Sequence, residues 1–233
     1  MRLIRATSAT LPPKVSKTLY LFFFATIPSV NAIEKLTERF RDFPGIGPRQ
    51  SRRFVYFLLS RNRAYLEDVA RLILNVQKEI RVCGSCMRFF SEVNDGALCS
   101  ICSNEKRDSS TLMLLEKDVD LENVEKSGAY KGRYFVMGGT IPILEKKPEE
   151  RVRLRELQGK VKKEAKAGLK EIIVAFSINA EGENTAHVVA ATLRPLTEEF
   201  KLKVSYLGRG LSTGSEVEYA DGETLKSALK NRT

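Results

Sequence analysis

Cys83, Cys86, Cys99 and Cys102 form two C-x2-C pairs with twelve residues between them. Paired CxxC spacing is the arrangement that closes a thiolate tetrahedron around zinc, whereas scattered cysteines would suit two disulfides or a redox pair. The expectation is one Zn2+ per chain. Four thiolates saturate the ion and leave no position for water, so the centre reads as a structural joint rather than a catalytic one. Zinc-bound thiolates also imply a reducing compartment. A second constellation is Phe43-Pro44-Gly45-Ile46-Gly47-Pro48, followed by Arg49, Arg52 and Arg53. Helical spacing lies on both sides of it, which gives the form of a helix-hairpin-helix. Gly45 and Gly47 let the backbone approach a phosphate, and the free N–H groups of the following helix face the same oxygen. Such contacts hold DNA without reading its bases. Any tight turn between helices needs glycine, so the three arginines carry the DNA reading. A third constellation is acidic: Glu116 ends one predicted strand, and Glu181 and Glu183 follow another.

The charge distribution agrees with the second constellation. The 233 residues carry 39 Lys and Arg against 29 Asp and Glu, a net charge of +10. Residues 1–82 hold 15 basic against 6 acidic side chains, and residues 83–233 hold 24 against 23. The basic excess lies in the N-terminal third, where a polyanion would release counterions on binding. With 42% hydrophobic and 29% charged residues the composition is globular. No apolar run approaches the roughly 18–20 residues that cross a bilayer. The segment before Ile27 combines Arg2, Arg5, Lys14 and Lys17 with the apolar run Leu19–Ala25. It has the outline of a targeting segment without a good cleavage site. Residues 1–27 are read as an extension, a targeting segment or a misassigned start, with membrane anchoring through Phe22–Phe24 the weaker reading.

The elements that must position these groups alternate. Helices are expected over residues 33–40, 48–59 and 64–80, the last with Val69, Leu72, Ile73 and Val76 as its apolar stripe. Residues 103–110 read as a linker. Apolar strands are expected at 111–115, 134–137, 171–176 and 203–207. Between them lie helices at 119–127, 149–167 and 183–193, and a last helix spans 223–229. This is an α/β pattern with a mainly parallel sheet covered on both faces. Glu116, Gly138-Gly139 and the segment Ser177 to Glu183 fall just past strand C-termini, where open sheets bind ligands. Arg151, Arg153 and Arg155 alternate with Val152 and Leu154 and read as a solvated helix face. His187, the single histidine, reads as a surface or packing residue.

Residues Ile172 to Glu183, IIVAFSINAEGE, resemble the toprim motif of topoisomerases and primases. There a strand ends in a DxD pair followed by an E-G-E stretch. That resemblance implies magnesium on the Asp pair and acid/base work by the first-strand Glu, here Glu116. Ser177 and Asn179 stand at the two Asp positions, and neither carries a charge for a hard cation. A degenerate, noncatalytic toprim domain is therefore expected; the alternative is a magnesium-dependent nuclease or primase-like enzyme using Glu116, Glu181 and Glu183.

The order helix-hairpin-helix, four-cysteine finger, degenerate toprim is similar to the RecR family of recombination mediators. Tyr134-Phe135-Val136-Met137-Gly138-Gly139 and Gly210 to Leu225, with Glu218-Tyr219-Ala220-Asp221, carry the resemblance further. It implies a noncatalytic, cytoplasmic, nucleoid-associated DNA-repair protein. It also implies a homo-oligomeric ring, a dimer or tetramer, that works with RecO, and in some lineages RecF, to load RecA at single-stranded gaps. Glu116, Glu181 and Glu183 would form an acidic patch for the basic partner RecO. The expected organisation is 1–27 extension, 28–80 helix-hairpin-helix DNA-binding region, 81–104 zinc finger, 110–208 toprim domain and 209–233 C-terminal segment.

Overall fold

The structure is a computed structural model that describes residues 31–91, 96–208, 210–211, 214 and 216–231. Residues 1–27, with the Phe22–Phe24 run, and residues 92–95 between the two cysteine pairs lie outside the described residues. The described residues fall into two compact units, one up to Ile73 and the other from Leu74. Among the described residues no helix is long and apolar enough to cross a membrane.

In the first unit α1 (Ala32–Arg41) and α2 (Pro48–Leu59) form the hairpin, and α3 (Arg63–Glu79) follows. Asn31 caps α1 by accepting from the Ile33 N–H at 3.2 Å. Between the helices Gly45 adopts φ +76°, a left-handed conformation that side-chain-bearing residues rarely take. Pro48 opens α2, where its missing N–H costs nothing. Phe40 meets Phe54 edge-on at 5.7 Å, above the buried Val55. Ser51 is fully buried and stays satisfied because its hydroxyl donates to Pro48 O at 3.0 Å. Among the described residues nothing buries the expected stripe of α3: none of the helix's residues is buried, and Leu72, Ile73 and Val76 are each more than half exposed.

The second unit begins at Leu74, within α3. The helix stops at Glu79, one residue earlier than its spacing predicts, because Ile80 opens an antiparallel hairpin, β1 (Ile80–Val82) with β2 (Phe89–Ser91). A short helix α4 (Ser100–Ser103) closes the cysteine segment. Then come β3 (Asp108–Leu115), α5 (Asp118–Ser127), β4 (Gly132–Val136), α6 (Leu154–Lys166), β5 (Glu171–Ala175), α7 (Ala180–Glu199), β6 (Lys203–Tyr206) and α8 (Gly222–Lys230). The four longer strands form a parallel sheet in the order β4-β3-β5-β6. Leu115 stands opposite both Val136 and Ala175, so the three strands end level. Alternate residues of β3 serve the two faces. Leu112 and Leu114 join Phe135, Ile172, Leu157 and Leu193 on one side, and Met113 and Leu115 join Tyr134, Val136 and Leu121 on the other.

Three expected boundaries move. The helix drawn from 149 begins at Leu154, after a 3-10 turn at Pro148–Glu150. The helix drawn over 183–193 runs from Ala180 to Glu199 through Pro195, because Leu193 and Leu196 pack onto the core on either side of the proline. The linker over 103–110 is partly ordered: β3 already begins at Asp108, and Arg107 is pinned. Its guanidinium makes a two-pronged pair with Glu125 at 2.8 and 3.1 Å, and its Nε donates to Gly132 O at 2.8 Å. Tyr134 donates to the same carboxylate at 2.6 Å.

Burial pushes the Glu125 carboxyl up, but the bonds from Arg107 and Tyr134 outweigh it and hold the group below its usual 4.5. Arg107→Ala leaves that carboxylate half-buried without its partner and should lower the unfolding free energy by about 2–4 kcal/mol. A carboxyl depressed in the folded state stabilises fully above its unfolded value and loses that contribution as pH falls through the folded one. The gap between parent and variant should therefore close as the pH drops below about 4.5. Urea unfolding at neutral and acid pH checks both; equal stability at neutral pH would contradict the network.

Candidate functional site

All four cysteine sulfurs lie within 4.8 Å of one another. Cys83, Cys86 and Cys99 are buried and Cys102 is partly so. The backbone forces this approach. Met87 N–H donates to Cys83 O at 3.0 Å, Cys83 N–H to Arg88 O at 2.9 Å and Gly84 N–H to Ala97 O at 3.0 Å. Met87 takes a left-handed φ of 63° to close the turn. The sulfurs of Cys86 and Cys99 are 3.6 Å apart, and the Cys99 N–H points at the Cys83 sulfur at 3.4 Å. Four ligands at a metal–sulfur distance near 2.3 Å place sulfurs roughly 3.8 Å apart, so the cluster fits a tetrahedral thiophilic cation. Hydrogen bonds with Cys102 and Cys99, then burial, push the Cys86 thiol well up, while bonds from Cys102 and Cys86 hold Cys99 well below the usual thiol range. A bound dication would offset the repulsion among thiolates and hold all four deprotonated.

The knuckle is fastened to the sheet. Val136 N–H donates to Cys86 O at 2.8 Å, and Phe89 N–H donates to Asp118 Oδ1 at 2.7 Å. Lys160 reaches Ser85 Oγ at 2.8 Å while pairing with Glu164 at 2.9 Å. Arg153 overturns its sequence reading as part of a solvated face. Its guanidinium turns inward and donates to Met87 O at 2.6 Å and Val136 O at 3.1 Å. The same group lies against Gly138, where an added Cβ would come within 3.3 Å of it. Periodicity alone could not find this residue, because its acceptors are carbonyls on two other segments.

At the sheet's C-terminal edge Glu116 is only 3% exposed. One of its oxygens accepts from the Ser177 N–H at 2.7 Å, the other from the Ser177 hydroxyl at 2.8 Å. Asn179 caps α7, accepting from the Gly182 N–H at 2.8 Å. Ser177 and Asn179 thus donate to or hold backbone where a metal-binding pair would offer negative charge. Gly182 is required here: a Cβ would fall 2.0 Å from Ser177 O and 3.1 Å from the Glu116 carboxylate. Glu181 and Glu183 are exposed on the first turn, and Glu181 accepts from Thr140 Oγ1 at 3.0 Å. The glycine loop is stitched alongside: Ile141 N–H donates to Thr185 Oγ1 at 2.8 Å, and the Asn184 amide donates to Ile141 O at 2.9 Å. The three acids therefore share one corner, with Glu116 beneath and the other two outside. His187 is exposed on α7.

In the hairpin unit, Arg49, Arg52 and Arg53 line one groove of about 530 Å³. Pro48 also lines it, and Gly45 and Gly47 lie in the turn just before Pro48, with open space where their side chains would be. Arg41 and Tyr56 line the same groove and were not singled out from sequence. Tyr56 was legible in principle, since it follows Arg52 and Arg53 by four and three residues on one helix. Among the described residues Arg41, Arg49 and Arg52 make no ion pair, and Arg53 reaches only Gln50, at 3.5 Å. The groove presents unpaired positive charge beside a helix N-terminus, the chemistry that receives phosphate.

Because metal binding and folding of such a cysteine cluster are coupled, Cys83→Ser should abolish metal binding there and loosen the segment and the Val136 edge together. Elemental analysis and amide exchange check this. Reduced parent protein without metal, or a metal-loaded variant with parental protection, would contradict it.

Comparison with known proteins agrees with this layout. A model of the RecR helix-hairpin-helix matches residues 33–76, a toprim domain model matches 110–208, and a model of the RecR C-terminal region matches 210–233. The recombination protein RecR of Chlorobium luteolum is 32% identical over 205 residues, spanning 88% of this chain and 98% of its own. That of Cereibacter sphaeroides is 33% identical over 200 residues, 86% of this chain and 95% of its own. The Chloroflexus aurantiacus protein is 36% identical over 200 residues, 86% and 93% respectively. With identity above 30% across nearly the whole of these relatives, and all three modules in the same order, the chain belongs to the RecR family.

Proposed function

We propose that this chain is a noncatalytic mediator of DNA repair and recombination, a DNA-binding scaffold rather than an enzyme. The observation that carries the reading is the groove of unpaired arginines beside the Gly45–Gly47 turn. Its contacts are to phosphate, so binding is largely independent of sequence. The cysteine knuckle holds one Zn2+ as a staple. Family membership supports the finer picture of a ring of two or four copies that works with RecO, and with RecF in some lineages, in loading RecA at single-stranded gaps, in the cytoplasm at the nucleoid. The apolar stripe of α3, left exposed by the described residues, supports self-association, since a stripe of this kind is normally covered by another helix. Residues 28–80 act as the DNA-binding region, 81–104 as the zinc finger, 110–208 as the toprim scaffold and 209–233 as the C-terminal segment.

The corner at the sheet edge serves partners rather than phosphodiesters. Glu181 and Glu183 offer an exposed acidic surface to a basic protein such as RecO, and Glu116 supports it from below by holding Ser177. The magnesium-dependent nuclease or primase-like alternative is disfavoured because both Glu116 oxygens already accept from Ser177 and no Asp pair stands beside them.

Replacing Arg49, Arg52 and Arg53 together by Ala should weaken binding to all DNA sequences alike and flatten the salt dependence by about 2–3 units of slope, roughly one for each phosphate no longer neutralised. Fluorescence anisotropy across a salt series measures this. Unchanged affinity and slope would refute the site.

A further inference from the structure

The groove holds a feature that phosphate binding does not need. Arg49, Arg52, Arg53 and Tyr56 are spaced i, i+3, i+4 and i+7 on α2 and share its exposed face, with Arg41 entering from α1. Tyr56 is 56% exposed. Among the described residues its ring meets no other aromatic ring and no cation, and its hydroxyl has no hydrogen-bond partner. The neighbouring rings differ: Phe57 and Tyr65 pack edge to face, and Arg61 lies over both, 4.1 and 5.7 Å from their centroids. Tyr56 alone of these three is bare, and it stands among the cations that would bring a phosphate chain to it.

We propose that Tyr56 is the stacking platform for an unpaired base, which makes this groove a single-strand site. The inference rests on the DNA-binding reading above and narrows its substrate to unpaired strands. In a duplex every base is already stacked, and a ring at the phosphate rim gains nothing from it. A single strand held by arginines at its phosphates can turn a base onto the ring, an interaction that tolerates every base because each has a π-face. The charge pattern argues against a second copy as the occupant. Two-fold self-association through this face would bring two sets of four arginines together, with no carboxylate among the groove's lining residues to pair them.

The test compares the parent chain, Tyr56→Ala, Tyr56→Trp and the triple arginine-to-alanine variant. Each is titrated with oligothymidylate, an abasic strand of equal length and a duplex of equal length, and its mass is followed by sedimentation. Tyr56→Ala should lose roughly 5- to 100-fold in affinity for the single strand and almost nothing for the duplex. Parent protein on the abasic strand should show the same loss, the two losses should not add, and Tyr56→Trp should restore binding. Equal losses on single strand and duplex, or no loss on either while the arginine variant is impaired, would overturn the stacking role and leave the DNA site standing. If the arginine variant and Tyr56→Ala both bind as the parent does, the DNA reading itself fails. A change in mass with an unchanged single-strand to duplex ratio would overturn the proposal in favour of a protein interface.

Discussion

A carboxylate buried at the end of a central strand has to find donors, and Glu116 finds both on Ser177. Much of the sheet's working edge follows from that requirement. Ser177 must leave β5 level with the end of β3, which the parallel register provides. The chain must then turn into α7 so close to Ser177 that only glycine fits at position 182. Asn179 completes the turn by capping the helix, and the helix in turn holds the loop after Gly138-Gly139 through Thr185 and Asn184. The place where a catalytic relative would gather charge around a cation is filled by neutral donors and backbone. The same substitution that removes metal ligands supplies the hydrogen bonds that keep the corner folded.

A second joint obeys the same rule from the other side of the glycine loop. Met87 O and Val136 O are carbonyls at the junction of knuckle and sheet, and Arg153 supplies donors to both. The knuckle is therefore continuous with strand β4 through Cys86 O and Val136 N–H rather than hung from a flexible tether. Disruption of the cysteine cluster would be felt at the strand edge and not only among the thiols. The basic groove belongs to the other compact unit, whose core is small and whose exposed face is given to charge.

The parts legible in the sequence were those whose cause is local. CxxC spacing brings each pair of thiols together, and Gly45 marks a turn whose left-handed φ few other residues adopt. The continuous apolar runs in β3, β4 and β5 announce strands covered on both faces, whereas β6, Lys203–Tyr206, is a half-exposed edge strand. What escaped depends on distant partners. Arg153 alternates with Val152 and Leu154 like any surface residue, and only the fold brings Met87 O to it. The hairpin strand Ile80–Val82 continues the apolar spacing of α3 and so hides within it. The helix expected to end at Leu193 continues as α7 through Pro195, because Leu193 and Leu196 pack onto the core on either side of it. The acidic triad was visible as three glutamates, but its division into one buried and two exposed members was not, because burial at Glu116 is decided by Ser177.

The central claim is that this corner is filled rather than vacant, and divalent-cation chemistry tests it most directly. Purified full-length protein should be incubated with magnesium or manganese and labelled single-stranded and duplex DNA, with Glu116→Gln run alongside. Neither protein should cleave either substrate, and the parent should show no saturable magnesium binding above the Glu116→Gln background. Magnesium-dependent cleavage by the parent protein, abolished by Glu116→Gln, would contradict it.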